Sequence, residues 1–456
     1  MSEPASEPAA PSEPVSEQGF QGERPILVMA FDPLTETMPG PAIRAWHLAE
    51  VLAGSHAVVL AGTAGATRRH PAMPVVAADG EDLRRLAESA SMIVAPTSAV
   101  FRYPYLIGLD VPLVLDIYIP THLENLEPGG ATEAEHCAAV RRQTEIINAD
   151  LDRGDFFLCA SERQRDFWLG SLAARGRINP LTYNEDAQLR RLIDVVAFGL
   201  PDQPPQRHGP GLRQVIPGIG ADDPVVLWGG GVYNWFDPLS LVRAIDRLRA
   251  TRPTIRLVFL GMRNPNPHIA EMRMASDLRA LSDRLDLTSR HVFFNEGWVP
   301  YDDRANYLLD ADVAVSTHLD HIETRFSFRT RVLDYLWAGL PMVLTGGDAL
   351  TDLVVEAGLG LSVAPGDDAA IADAISELLG APKARTSPHA LVEMFRWSAV
   401  AAPLVAYARH PAKAADRVQV EPVADRQNSP RPTALGSLSS RARSIGARVR
   451  RRLVHR

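Results

Sequence analysis

The apolar positions of this chain fall into short β-branched runs separated by stretches of helical spacing, and the two alternate almost from end to end. In the first half PILVMAFDP from about Pro25, HAVVLAGT, SMIVAPT, PLVLDIYIP and DFFLCAS are apolar runs of strand length. Between them RAWHLAEVLAG, EDLRRLAESA, a long segment from about Glu133 to Leu151 and another from Arg163 carry the helical period. Such alternation predicts βαβ units, a parallel sheet and helices on both its faces. The second half repeats the pattern with strands PVVLWGG, RLVFLGM, HVFFNEG, ADVAVST, PMVLT and LSVAPGD. Its helices are predicted over Pro238 to Ala250, around Glu271 to Asp286, and at DDRANYLLDA, RVLDYLWAG and IADAISELLG. The fold class read from this is α/β, with two Rossmann-like parallel-sheet domains facing a cleft.

The boundaries follow from composition. Residues 1–24 repeat SEP and hold almost no large apolar side chain, which predicts a disordered acidic segment. The first sheet domain takes 25–201. The Pro- and Gly-rich stretch from Asp202 to Asp223 opens the second, 202–389. An apolar helix over 390–409 follows, and 410–456 form a linker and tail. From Arg431 onward the tail has eight arginines and no acidic residue, with Leu435, Leu438, Ala442, Ile445, Val449 and Leu453 on one helical face. A basic amphipathic helix of this kind suits an anionic membrane surface; a basic tail without a partner is the competing reading.

The chain has 456 residues, a net charge of −8 and an ordinary soluble composition of 46% hydrophobic and 22% charged residues. An acidic body without a recognition motif argues against nucleic acid. Cys137 and Cys159 are too few for a disulfide framework and are expected as buried thiols in a reducing compartment. No apolar run reaches membrane-spanning length, which points to a cytoplasmic protein.

Candidate chemistry concentrates at predicted strand ends, where open parallel sheets bind ligands. The central stretch is Ala311 to Asp348. Its loop carries Arg325, Arg329 and Arg331 just before a helix, a grouping able to clamp a diphosphate; surface ion pairs with Asp320, Glu323 or Asp334 are the alternative. Asp334 is placed to accept hydrogen bonds from sugar hydroxyls. Gly229, Gly230 and Gly231 form a strand-to-helix turn whose amides can approach a phosphate, though neither a GK[ST] nor a GxGxxG spacing accompanies them. Gly40 and Arg44 sit at a helix start, a site for an anion or a close backbone approach; Asp116 and Tyr118 sit at a strand end, each either on the cleft or a buried hydrogen-bonding group. His318, His321 and Glu323 lack a further ligand, so no metal site is assigned. Asp310 and Asp312 read as the end of a helix.

Taken in order, PGPAIRAWHLAEVLA, WGGGVYNWFDPLSLVRAI, NEGWVP and FRTRVLDYLWAGLPMV resemble the GT-B glycosyltransferases, specifically the bacterial branch akin to the retaining family-four enzymes. The resemblance spans about Pro25 to Ala408. It implies that the second domain binds a nucleotide-diphosphate sugar, that the first binds the acceptor, with Gly40 and Arg44 on the acceptor side, and that the helix near Ala390 crosses back to the first domain. The family's ribose-holding carboxylate falls on Asp334. Its other carboxylate falls on Phe326, a departure, with Glu323 as the substitute. The basic residues that usually hold the diphosphate are absent from the glycine turn, and the arginines around Phe326 replace them. Glu296 and Gly297 match the loop near the base, and Tyr118, with Asp116 adjacent, matches the residue near the reacting centre.

The implied activity is glycosyl transfer from a nucleotide-diphosphate sugar, a substrate and not a cofactor, to a cell-envelope or lipid-linked glycan, without a metal and with the tail at the inner membrane face. A nucleotide-sugar epimerase or a non-catalytic nucleotide-sugar binder are the other readings. On this reading Arg329→Ala impairs diphosphate binding more than stability.

Overall fold

Every apolar run predicted as a strand lies in one of two wholly parallel sheets. The computed structural model describes residues 24–127, 132–267, 269, 271–381 and 389–418, and up to Asp416 they form one unit that holds both sheets. The first sheet contains β1 (Ile26–Ala30), β2 (Val58–Gly62), β3 (Val75–Ala77), β4 (Met92–Pro96), β5 (Leu113–Asp116), β6 (Phe156–Cys159) and β7 (Ile193–Val195), in the order β3-β2-β1-β4-β5-β6-β7. The second contains β8 (Val225–Trp228), β9 (Arg256–Phe259), β10 (Val292–Phe294), β11 (Val313–Ser316), β12 (Met342–Thr345) and β13 (Gly360–Val363), in the order β10-β9-β8-β11-β12-β13. In each, the order reverses beside the first strand of the lobe. Ile26 pairs with Val58 on one side of β1 and Met92 on the other, and Val226 pairs with Leu257 and Val313 across β8. That reversal leaves the crevice in which doubly wound sheets bind ligands. β3 and β7, of three residues each at the two edges of the first sheet, are strands beyond those the sequence pattern predicts.

Helices cover both faces, so successive strand residues are buried on opposite sides. Leu27 and Met29 join the core under one face, Ile26, Val28 and Ala30 the core under the other. The latter core is continuous with the second lobe through Leu227, Val258 and Ala314, which explains why the lobes form one unit.

Three local expectations are corrected. The first helix runs Gly40–Ala53 and starts four residues before Arg44, with Pro41 in its first turn, where a fixed φ and a missing N–H cost nothing. The apolar segment after 389 is three short helices, His389–Met394, Trp397–Val400 and Ala402–Ala408, interrupted where Trp397 N donates to Leu200 O at 2.9 Å. They do return to the first lobe: Tyr407 stacks on Phe156 at 4.5 Å and Trp397 on His47 at 5.1 Å. Cys159 is buried, whereas Cys137 is exposed. Asp310 and Asp312 hold the interdomain segment, Asp310 pairing with Arg207 at 2.9 Å and Asp312 with Arg213 at 2.8 Å. Residues 1–23 and the basic tail from Arg431 lie outside the described residues. No described helix is long and apolar enough to cross a membrane.

Candidate active site

The loops leaving the carboxyl ends of both sheets enclose a cleft of about 440 Å³, within the ordinary range for small-ligand sites. The first lobe supplies Asp32 after β1, Gly40 at the helix start, and Tyr118 and Glu124 after β5. The second supplies the glycine turn after β8, Trp298 after β10, Arg304, and the Glu323–Asp334 segment after β11.

The glycine turn is built around its neighbours. Gly229 N donates to Tyr335 Oη at 2.7 Å, and a Cβ there would stand 2.9 Å from the Tyr335 ring. Gly230 has φ +100° and open space beside it, so its conformation, not crowding, demands glycine. The Gly231 carbonyl accepts from Arg331 Nη2 at 2.7 Å.

Of the three loop arginines, two line the cleft. Arg329 is buried and grips Glu323 bidentately, Nη1–Oε1 at 3.1 Å and Nη2–Oε2 at 2.6 Å. Arg331 lies 4.6 Å from the Trp228 ring and 4.3 Å from the Phe236 ring. It makes no ion pair among the described residues, and burial pushes its pKa down to about 10. Arg329 Nε and Arg331 Nη1 are buried without a hydrogen-bond partner among the described residues. Arg325 is the correction: it is exposed, off the cleft, with its guanidinium 5.9 Å from the Phe326 ring.

Asp334 lines the cleft and pairs with Arg304 Nε at 3.4 Å; burial raises its pKa, which Arg304 partly offsets. Arg304 was not read from the sequence. Its guanidinium sits between the rings of Tyr301, at 3.7 Å, and Trp337, at 4.6 Å.

Glu323 therefore differs from the free catalytic carboxylate expected, since both its oxygens face Arg329. Asp116 and Arg44 are likewise corrected. Arg44 is fully buried, and its Nε and Nη2 reach Asp116 at 2.6 and 2.9 Å while Nη1 and Nη2 donate to the carbonyls of Ala197 and Val196. With all three guanidinium nitrogens engaged and neither residue on the cleft wall, the pair braces the floor beneath it. The Arg44 guanidinium lies 4.5 Å from the ring of Tyr118, which does line the cleft and whose phenol burial keeps protonated. Glu296 turns outward to Arg279 and Gly297 is exposed, so neither touches the cleft; Trp298, next along, does.

A carboxyl the sequence did not reveal is Glu124, half-buried on the first-lobe wall. Burial, then repulsion from Glu323, pushes its pKa up to about 8 against the pull of Arg329. Asp32 accepts from Asn266 of the second lobe at 2.7 Å. The histidines weighed for metal do not converge. His318 is fully buried with Nε2 3.3 Å from Ser316 Oγ, and His321 receives the Glu323 amide and faces Glu127 at 3.6 Å. Among the described residues no group of three His, Cys, Asp or Glu side chains is arranged to hold a metal ion.

Residues 223–381 match the family described as Glycosyl transferases group 1. No curated protein sequence matches the chain. Among solved structures it is similar to sucrose-phosphate synthase from Thermosynechococcus elongatus, 17% identical with TM-score 0.57, covering 85% of this chain and 98% of that one. It is similar to Anabaena HepE in complex with UDP and glucose, 14% identical with TM-score 0.58, covering 85% and 100%. It is also similar to WaaG, a glycosyltransferase involved in lipopolysaccharide biosynthesis, 14% identical with TM-score 0.54, covering 84% and 95%. The chain thus has the GT-B fold, and residues 223–381 of its second lobe are similar to the group 1 glycosyl transferases.

Proposed function

We propose that the protein transfers a glycosyl group from a nucleotide-diphosphate sugar to a glycan or lipid-linked acceptor of the cell envelope. The observation that carries this is Arg331: a buried guanidinium on the cleft wall, beside the glycine turn, with no carboxylate partner among the described residues. A buried cation of this kind calls for an anion, and a diphosphate against Arg331, Arg329 and the Gly230 turn would supply one. HepE, solved with UDP, shares the fold and supports a nucleotide as the ligand. Asp334 is assigned to the ribose, which fits a carboxylate on the cleft wall.

In this mechanism the acceptor oxygen forms a bond to the anomeric carbon while the bond from that carbon to the diphosphate breaks. Negative charge grows on the departing diphosphate, where fixed guanidinium and amide groups stabilise it without reorganising. The acceptor enters beside Tyr118 and Gly40, and Glu124 is the first-lobe carboxyl placed to take its proton. Glu323 acts by fixing Arg329. Retention at the anomeric carbon is carried from the family that the sequence resembles. The envelope acceptor rests on the basic tail and is supported by the involvement of WaaG in lipopolysaccharide biosynthesis.

The test is a thermal-shift panel of nucleotide-diphosphate sugars on the full chain. A ligand at about 100 times its Kd adds roughly 2.7 kcal/mol to the native state and raises the midpoint. A panel in which no nucleotide diphosphate or nucleotide sugar moves the midpoint overturns the proposal.

A further inference from the structure

A hydrogen-bonded chain crosses the cleft behind Asp334. Arg304 Nη2 donates to Tyr301 Oη at 3.0 Å, Tyr301 Oη meets His47 Nε2 of the first lobe at 2.7 Å, and His47 Nδ1 meets Glu50 at 2.7 Å. Its polarity is fixed by its ends. Arginine only donates and a carboxylate only accepts, so neutral His47 carries its proton on Nδ1 toward Glu50 and the Tyr301 hydroxyl spends its own on His47 Nε2. The ring of Tyr301 also lies under the Arg304 guanidinium at 3.7 Å, and Tyr301 N donates to Glu36 O of the first lobe at 2.8 Å. Trp397 stacks on the outer face of His47.

Building on the nucleotide-sugar reading, we propose that Tyr301, held by His47, is a positioning residue that aims Arg304 and through it Asp334 at the nucleotide's ribose. The nucleotide subsite then belongs to both lobes, and its affinity depends on their contact as well as on the residues that touch the ligand.

The chain has a signature that a packing role lacks. Protonated His47 would donate from Nε2 instead, so the Tyr301 oxygen would accept from both His47 and Arg304 and its own proton would lose its acceptor, a break in the sequence of bonds. Burial holds His47 neutral at pH 7, with Glu50 opposing and Arg304 and Arg68 reinforcing, so the break comes only on acidification. The other charged groups facing this knot are His70 through Glu50, and Asp302 and Asp334 beside Tyr301.

The experiment measures calorimetric binding of UDP, GDP, ADP and dTDP to the full chain, then compares variants with the tightest of them. Tyr301→Phe keeps the ring and removes one hydroxyl; it is expected to weaken binding about tenfold while the unliganded protein stays folded at the assay temperature. His47→Gln offers an acceptor oxygen that cannot titrate; it is expected to bind as wild type at about pH 7.5 and to lose the extra weakening that wild type shows near pH 5. Binding by Tyr301→Phe within about twofold of wild type overturns the proposal, as does an unchanged acid limb in His47→Gln. Binding of none of the four nucleotides to wild type overturns the nucleotide-sugar reading itself, and this inference with it.

Discussion

Arg329→Ala tests the interior of the site most directly. The Arg329 and Glu323 side chains are 4% and 2% exposed and joined by two hydrogen bonds. Removing the arginine strands a buried carboxylate, and breaking such a pair costs roughly 3–5 kcal/mol. A second route gives a similar ceiling. Glu323 can escape by taking a proton, and protonating a carboxyl of ordinary pKa about 4.3 at pH 7 costs about 3.7 kcal/mol at about 1.36 kcal/mol per unit. The penalty must therefore shrink by about 1.4 kcal/mol for each pH unit of acidification, leaving about 1 kcal/mol at pH 5. Urea unfolding of the full chain at both pH values reads this, and adding Glu323→Gln to Arg329→Ala is expected to recover much of the loss at pH 7. The sequence alone led to the opposite expectation, that binding would suffer more than stability. A deficit under about 1 kcal/mol at pH 7, or one equal at the two pH values, would refute the ion-pair reasoning.

Arg331→Met removes the unpaired cation; a charge-assisted bond contributes about 1.5–3 kcal/mol, so nucleotide-diphosphate affinity measured by calorimetry is expected to fall about 10- to 150-fold. Asp334→Ala is expected to weaken nucleotide binding, and to weaken the 2′-deoxy nucleotide less than the ribonucleotide if the carboxylate holds ribose. Glu124 ionises with a pKa of about 8 in the folded state, so transfer should rise with pH through that region, and Glu124→Gln should flatten the profile and lower the rate about 10²- to 10⁴-fold. The same shift acts on stability. Folded Glu124 stays protonated where the unfolded chain has already ionised, so its contribution is full below about pH 4.5 and is lost as pH rises to about 8. Deleting 431–456 should release the protein from anionic vesicles in a flotation assay without lowering its melting midpoint.

What periodicity carries is the sheets, and with them the strand ends. Gly229 to Gly231, Arg331 and Asp334 were legible because each lies within a few residues of a strand end or helix start, where backbone direction alone brings side chains to the cleft. Arg44 and Asp116 were not, because their partnership spans 72 residues and only tertiary folding makes it. Tyr301 and His47, separated by 254 residues, lie beyond sequence reading for the same reason. Glu296 fails differently: the loop NEGWVP reaches the cleft, but which of its side chains turns inward is set by loop torsions, which give Trp298 to the cleft and Glu296 to Arg279.

The departure at Phe326 follows from the same geometry. Its ring packs 4.8 Å from Phe167 of the first lobe, and its carbonyl accepts from Gln164, whose amide nitrogen also donates to the carbonyl of Tyr118, each at 2.8 Å. A carboxylate here would be desolvated against an aromatic ring, so position 326 serves the junction of the lobes. The negative charge stands three residues earlier, on the neighbouring turn of the same short helix, as Glu323. There it cancels Arg329, while Asp334 cancels Arg304 and Glu124 is largely protonated at pH 7. Among the described residues Arg331 is then the one cation of the cleft wall without a carboxylate, and it sits beside the turn whose glycine allows the closest backbone approach. Cancellation elsewhere is what gives a single guanidinium its leverage, because a diphosphate entering this cleft meets net positive charge only there.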